Sequence, residues 1–330
     1  MKYDVFGLEN PLVDLLAKVP DQFLADLGLE KNRMFLVDKE RLQTLLGALK
    51  GMDIVAEPGG SAANTMLGVA QLGGKAAFCG KAGQDDYGRV YQEKLREAGV
   101  ESFISTDGHL TGSTVILVTP DAARTMNTYL GACQDLTPGD IPVEAIRQSA
   151  RLYITGYLWD TDGQKEAARL AMNTAQGSSI PVVMSLSDPF CVNRHTEDFR
   201  RILRDHAAFV FANQEEAAAL TGKTDPKQAM KDLRSLTEGA VITLGAQGAL
   251  ISQGEITLQV PAFPVAQVVD TTGAGDAFAA GFLYGLSKGA GLESCGKLGA
   301  CFASRVIARM GPRLEGDVRA QLAPALGAGL

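Results

Sequence analysis

Residues 270–286 read DTTGAGDAFAAGFLYGL, and the rest of the chain is organised around this stretch. The run VAQVV at 265–269 predicts a strand that leads into two threonines, then Gly273, Ala274 and Gly275, then Asp276, with a helix of small residues after it. A helix start leaves its first N–H groups unpartnered and carries partial positive charge, so it stabilises an anion. Small residues at 273–275 remove the side chains that would hold a phosphate away. Asp276 reads two ways. A carboxylate in the first turn is good capping chemistry. A carboxylate at the lip of a donor pocket is also what phosphoryl transfer uses, with the donors holding charge while the acid orients and deprotonates a hydroxyl.

The remainder alternates strand and helix signals. YDVFGL, AAFCG, LYITG, IPVVMSL, AFVFAN and AVITL are apolar runs bounded by Gly or Pro and predict buried parallel strands. Segments 38–51, 87–99, 162–175 and 226–239 carry apolar residues at helical spacing. That order implies right-handed crossovers and a sheet covered on both faces. Residues 33–37 (RMFLV) and 113–130, the latter turning at Pro120-Asp121, predict antiparallel strands of a small separate sheet. The tail LAPALGAGL reads as a loosely held end.

With 330 residues, 46% hydrophobic and 21% charged, the chain can bury a substantial core as one large α/β domain or two modest ones. A net charge of −7 argues against nucleic acid or an anionic membrane as the main partner. Cys79, Cys133, Cys191, Cys295 and Cys301 show no paired spacing and read as reduced thiols of a cytoplasmic protein. The start of the chain lacks the basic and apolar regions of a signal peptide, and the most apolar run, 239–254, is broken by Gly, Gln and Thr.

Five further segments stand out, the first four with both a bland and a functional reading. Asn10 and Asp14, in GLENPLVD, form an Asn-Pro turn with a solvated acid, or sit past a strand end where they bond vicinal hydroxyls. Gly59 and Gly60 make an ordinary turn, yet Asn64 is a poor helix former within an alanine-rich helix and asks for a partner. Arg124 is a solvated strand residue or a phosphate ligand. Asn213 and Glu216 make a capping box, which is compatible with an outer-shell carboxylate for a hydrated cation. Thr243 to Gly248 (TLGAQG) is a Gly-bounded turn. Other signatures fail. Gly222-Lys223-Thr224 mimics a Walker loop but has Ala217 where the first glycine belongs, and no dinucleotide fingerprint, zinc spacing or nucleophile elbow occurs.

Together these segments resemble the ribokinase-like, or PfkB, family of carbohydrate and nucleoside kinases, from Gly7 to about Gly311, with most likeness to its adenosine kinase branch. The resemblance implies a three-layer α/β/α sandwich with a mostly parallel central sheet and a small β-sheet lid. It implies a single unit, its large part about 1–10, 41–100 and 131–330 and its lid inserted from about 11–40 and 101–130. By the same likeness Asp276 is the catalytic base, and the backbone of Gly273, Ala274 and Gly275 is the anion hole. Asn10, Asp14, Gly59, Gly60, Asn64 and Arg124 hold substrate. Asn213, Thr243, Gly245, Gly248 and Thr272 serve ATP, Glu216 orders magnesium through water, and Asp270 with Thr272 lines a potassium site. The loop Gly80 to Gly88 is read as structural. The implied activity is ATP-dependent phosphorylation of the 5′ hydroxyl of a ribonucleoside, adenosine first. Alternatives are a sugar kinase of the same family or a silent nucleoside-binding protein. The expected partners are ATP and a small molecule, with the chain a monomer or homodimer.

Overall fold

Fourteen strands fall into two sheets in the computed structural model, which describes residues 1–121, 123–323 and 325. In chain order they are β1 (Val5–Leu8), β2 (Val13–Lys18), β3 (Met34–Leu36), β4 (Ile54–Pro58), β5 (Ala76–Gly83), β6 (Glu101–Asp107) and β7 (Ser113–Val118). They continue with β8 (Arg124–Tyr129), β9 (Leu152–Thr155), β10 (Val182–Ser185), β11 (Ala207–Asn213), β12 (Gly239–Thr243), β13 (Ala249–Gln253) and β14 (Ile256–Val260). The large sheet has the order β14-β13-β12-β11-β10-β9-β1-β5-β6. It is parallel from β6 to β12 and ends in two antiparallel hairpin pairings.

Strands buried on both faces need apolar residues at every position, which is why they appear as unbroken runs. Val5, Phe78, Tyr153, Val183, Phe211 and Val241 face the helices Ser61–Gln71, Ala274–Ser287 and Leu292–Val306 in one core. Phe6, Cys79, Ile154, Met184, Val210 and Ile242 face the helices Asp162–Gly177, Pro189–Asp205 and Pro226–Arg234 in the other. Three layers result. The chain leaves β1 toward β5 on one side and later builds toward β9 on the other, so the ends of β1 and β9 flank a topological switch point.

The small sheet, β3-β8-β7-β2-β4, differs from expectation in three ways. It is mixed: β2 with β7 and β3 with β8 are parallel, while β2 with β4 and β7 with β8 are antiparallel. β4 joins it although 41–100 was assigned to the large part, because Ile54-Val55-Ala56 returns to pair with Leu15 to Ala17 of β2. β6 leaves it: residues 101–107 lie parallel to β5 as the edge of the large sheet, and their alternating polar residues reflect that half-exposed edge. The predicted strand 265–269 is also absent. Val268 and Val269 are exposed, and the Val269 N–H donates to the Ile307 carbonyl at 2.8 Å, so the segment crosses to the neighbouring helix end while β14 takes the sheet position. Its β-branched residues signalled extended backbone without specifying a partner.

One face of the small sheet is covered. Val13, Leu15, Ala17, Val115 and Leu117 share a core with Leu24, Leu42 and Leu45 of the helices Asp21–Asp26 and Lys39–Ala48. Alternation turns Asp14 and Leu16 to the opposite face, beside Glu57 and Val55 of β4. These four residues and Val118 line an open cavity of about 910 Å³. Residues 326–330 of the tail lie outside the described residues, and no helix among the described residues is long and apolar enough to cross a membrane.

Candidate active site

Two helices meet at the site, and both begin on a glycine in the left-handed region. Gly60 (φ +91°) precedes Ser61–Gln71 and Gly273 (φ +74°) precedes Ala274–Ser287. A Cβ on Gly60 would stand 2.9 Å from the Asn10 carbonyl oxygen, and one on Gly273 would stand 2.6 Å from the Pro312 Cβ. Neither position tolerates a side chain, so neither helix has a capping side chain of its own. The helices pack closely along their length, where a Cβ on Gly68 would approach that of Ala280 to 2.6 Å.

This packing turns the first turn of one helix onto the first turn of the other. Asp276, which lies in the first helical turn because the helix begins at Ala274, three residues earlier than expected, accepts from Ser61 Oγ at 2.6 Å on Oδ1 and from Asn64 Nδ2 at 3.0 Å on Oδ2. Enclosure by protein pushes its carboxyl up to about 6, and the two hydrogen bonds pull the other way without cancelling that rise. At neutral pH it is a carboxylate whose proton affinity exceeds that of a free Asp. Asn64 Oδ1 is buried without a partner among the described residues and is open to a donor.

Asp14 lies over the Gly59 backbone, where a Cβ would stand 2.4 Å from its carboxyl carbon. Burial raises it to about 7, against the lowering pull of the Arg313 and Arg124 guanidiniums and with a further push from Asp276. Asp14 also lines the 910 Å³ cavity, with Leu16, Val55, Leu67, Val118, Met310 and Pro312 as apolar wall and Lys18, Asp53, Glu57, Gln71, Lys94, Glu97, Arg313 and Glu315 as polar groups. Asp14, seated on Gly59 and within electrostatic reach of Asp276, thus borders this chamber. Trp159 is buried against Phe199, so its ring is not free to stack on a ligand, while Phe190 is exposed with Arg194 over one ring face.

The expectation for Asn10 is corrected. Its Nδ2 donates to the Tyr157 carbonyl at 3.2 Å and its Oδ1 accepts from Gln164 Nε2 at 2.6 Å, so at 3% exposure it ties the ends of β1 and β9 together. Position past a strand end did not reveal that the side chain points inward. Arg124 is not solvated: it pairs with the buried Asp270, which also accepts from the Gly311 N–H at 2.7 Å and the Thr272 N–H at 3.0 Å.

Asn213 and Glu216 form the capping box in full. Glu216 accepts from Asn213 Nδ2 at 2.7 Å and from its backbone N–H at 3.0 Å, and burial with nearby Asp188 and Asp276 raises its carboxyl to about 7. An all-oxygen carboxylate held this way suits the water shell of a hard cation, whose charge would relieve that repulsion. The Thr243–Gly248 segment closes the β12–β13 hairpin, and a Cβ on Gly248 would fall 1.9 Å from the Val260 carbonyl oxygen. Gly248 is therefore required by the chain crossing itself. Asp85, in the Gly80–Gly88 loop, caps its helix through the Gly88 N–H and holds Thr111, a structural role.

Three residues at the site carried no assigned role in the sequence reading. Ser61 holds Asp276 and lay in plain view beside Gly60. Arg313 donates to the Pro58 carbonyl at 2.8 Å and to Glu57 at 3.1 Å, a cross-chain tie with no local signal. Glu9, 2% exposed, accepts from the Ala62 N–H.

The doubly wound sheet with its second small sheet, and a donor-held acid in the first turn of an uncapped helix, define a phosphotransferase that acts on an alcohol group. Residues 30–317 match the pfkB family of carbohydrate kinases, and the chain belongs to that family. It is 29% identical over 325 residues to the adenosine kinase of Saccharomyces cerevisiae, spanning 92% of this chain and 95% of the yeast protein. The crystal structure of adenosine kinase from Sinorhizobium meliloti superimposes with a TM-score of 0.91 at 39% identity, covering 98% of this chain and 100% of that one. A probable sugar kinase from Rhizobium etli superimposes with a TM-score of 0.91 at 38% identity, over 98% of this chain and 99% of its own. The protein is a nucleoside or sugar kinase.

Proposed function

We propose that this kinase transfers the γ-phosphoryl group of ATP to the 5′ hydroxyl of a ribonucleoside, adenosine first. The observation that carries this reading is the apolar wall of the chamber beside Asp14. A bare sugar would leave Leu16, Val55, Leu67, Val118, Met310 and Pro312 against water, whereas a base covers them. Covering about 100 Å² of apolar surface contributes about 2.5 kcal/mol, on the order of seventyfold in affinity.

On this reading Asp14 and the Asn64 Oδ1 accept from ribose hydroxyls over the Gly59-Gly60 turn, and the 5′ hydroxyl meets the Asp276 carboxylate. The first N–H groups of the Ala274–Ser287 helix, behind Gly273, Ala274 and Gly275, hold the transferred phosphoryl. Asp276 takes the hydroxyl proton late in a loose transition state, for which an acid near 6 has sufficient basicity. ATP approaches from the ends of β11 and β12, past Asn213, Thr243 and Gly245. Magnesium, ordered by Glu216 through water, would supply charge neutralisation on the phosphates. Potassium enters the scheme only where Arg124 leaves Asp270 for the phosphates, and equal rates in sodium and potassium would remove it. Five free, buried cysteines suit a reducing compartment, the cytoplasm.

Incubation with MgATP and a panel of nucleosides and free sugars, with ADP as readout, tests the proposal. Nucleosides, adenosine foremost, are expected to release ADP with the lowest KM. Turnover with ribose or fructose and none with nucleosides would overturn it in favour of the sugar-kinase reading.

A further inference from the structure

Glu9 follows β1 directly, and its carboxyl is buried beneath the turn that opens the Ser61–Gln71 helix. That helix begins on Gly60, which cannot carry a capping side chain because the Asn10 carbonyl occupies the space. A helix start left uncapped in a dry environment frays, since its first N–H groups have neither side chain nor water. Glu9 Oε2 accepts from the Ala62 N–H and supplies the missing cap from another part of the chain. The first turn it caps carries Ser61 and Asn64, the two donors on Asp276.

We infer that Glu9 is a positioning residue for the phosphoryl-transfer centre: by capping the Ser61–Gln71 helix in place of Gly60, it fixes Ser61 and Asn64 on Asp276. The consequence for catalysis rests on the role proposed above for Asp276, whereas the geometric link from Glu9 to Asp276 does not. The groups facing Glu9 are Asp276, Tyr91, Tyr153, Tyr157 and Cys133, and those facing Asp276 include Glu9, Asp14, Glu216 and Tyr153. Burial raises Glu9 to about 8, so it is neutral where Asp276 titrates near 6. Removing Glu9 therefore changes no charge in that range, and a shift in the titration of Asp276 reports geometry.

The test is the pH titration of the Asp276 carboxyl carbon by 13C NMR in aspartate-labelled protein, its signal assigned by its loss in Asp276→Asn. In Glu9→Ala the two hydrogen bonds that favour the carboxylate loosen, and the midpoint is expected to rise by about half a unit to one unit. Glu9→Gln retains an acceptor oxygen and is expected to restore the wild-type midpoint. At saturating substrates kcat follows, about tenfold lower in Glu9→Ala and within about twofold of wild type in Glu9→Gln. An unchanged midpoint in Glu9→Ala, even with a lower melting temperature, would overturn the inference, as would Glu9→Gln behaving like Glu9→Ala. Should Glu9→Ala not fold, Glu9→Met fills similar space without an acceptor and carries the same two outcomes. If Asp276→Asn keeps its turnover while the midpoint still moves, the proposed base fails and the positioning role stands.

Discussion

Two helix starts lie against each other in this molecule, alike in opening on a positive-φ glycine and different in what answers their positive ends. The Ser61–Gln71 helix has its cap supplied by an internal carboxyl, Glu9. The Ala274–Ser287 helix receives no side-chain cap, and its own first-turn acid turns away to Ser61 and Asn64. One terminus is closed by the protein itself, while the other keeps its first donors free of any side-chain cap, as the proposed phosphoryl site requires. An N–H cluster becomes a binding site through what the fold withholds from it.

The contrast breaks most sharply at Asp276. Asp276→Asn keeps the side-chain shape but only one of the two acceptor oxygens, and removes the proton acceptor, so kcat is expected to fall on the order of a hundredfold or more with a smaller change in KM. Steady-state kinetics on the folded variant measure this, and near-wild-type turnover would end the base assignment.

Gly273→Ala tests whether the second start must stay bare. The added methyl meets Pro312 in a left-handed backbone, so a loss of about 1–3 kcal/mol in stability and tens of fold in kcat is expected, read by denaturant unfolding and turnover. A folded variant with unaltered kcat would show that the amides behind Gly273 do not touch the reacting group.

Asp14→Asn probes the acceptor side, which lies outside both termini. A rise of about tenfold in nucleoside KM with a smaller fall in kcat is expected, since on the proposed reading the carboxylate would bind hydroxyls without joining the chemistry.

The smallest effect separates Glu9 from the other buried carboxyls by pH. Glu9, Asp14, Glu216 and Asp276 are all raised in the folded protein, to about 8, 7, 7 and 6. A group raised on folding stabilises fully below its unfolded value and loses that contribution as pH rises through its folded value. The ligand-free protein is therefore expected to melt at progressively lower temperature from about pH 5 to pH 8. Glu9→Gln should flatten the upper part of that slope in a thermal scan by a few degrees. An unchanged slope would mean that Glu9 is already ionised in the folded state.

Much of this arrangement could be read in the residues, for reasons that differ by element. Strands β1, β5 and β9 to β12 declared themselves because burial on both faces demands unbroken apolar runs. The uncapped helix start and its first-turn Asp276 were legible because small residues and an acid at fixed spacing all lie within one segment. Asn213 and Glu216 were legible because a capping box is local. What escaped was non-local. β4 finds its partner some forty residues earlier in β2, and Arg313 reaches back to Glu57 and Pro58. Asn10 was misread because its backbone position was evident while its side-chain direction depends on β9 and Gln164. Glu9 escaped because a cap supplied from another segment leaves no spacing to recognise.

The most direct test is a crystal structure with MgADP, aluminium fluoride and adenosine, which places a planar mimic of the transferred phosphoryl. The account predicts the fluoride plane against the amides of residues 274–276, with an Asp276 oxygen about 3 Å from the 5′ oxygen and the base against Leu16 and Val55. A fluoride plane elsewhere, with Asp276 remote from the acceptor oxygen, would contradict it.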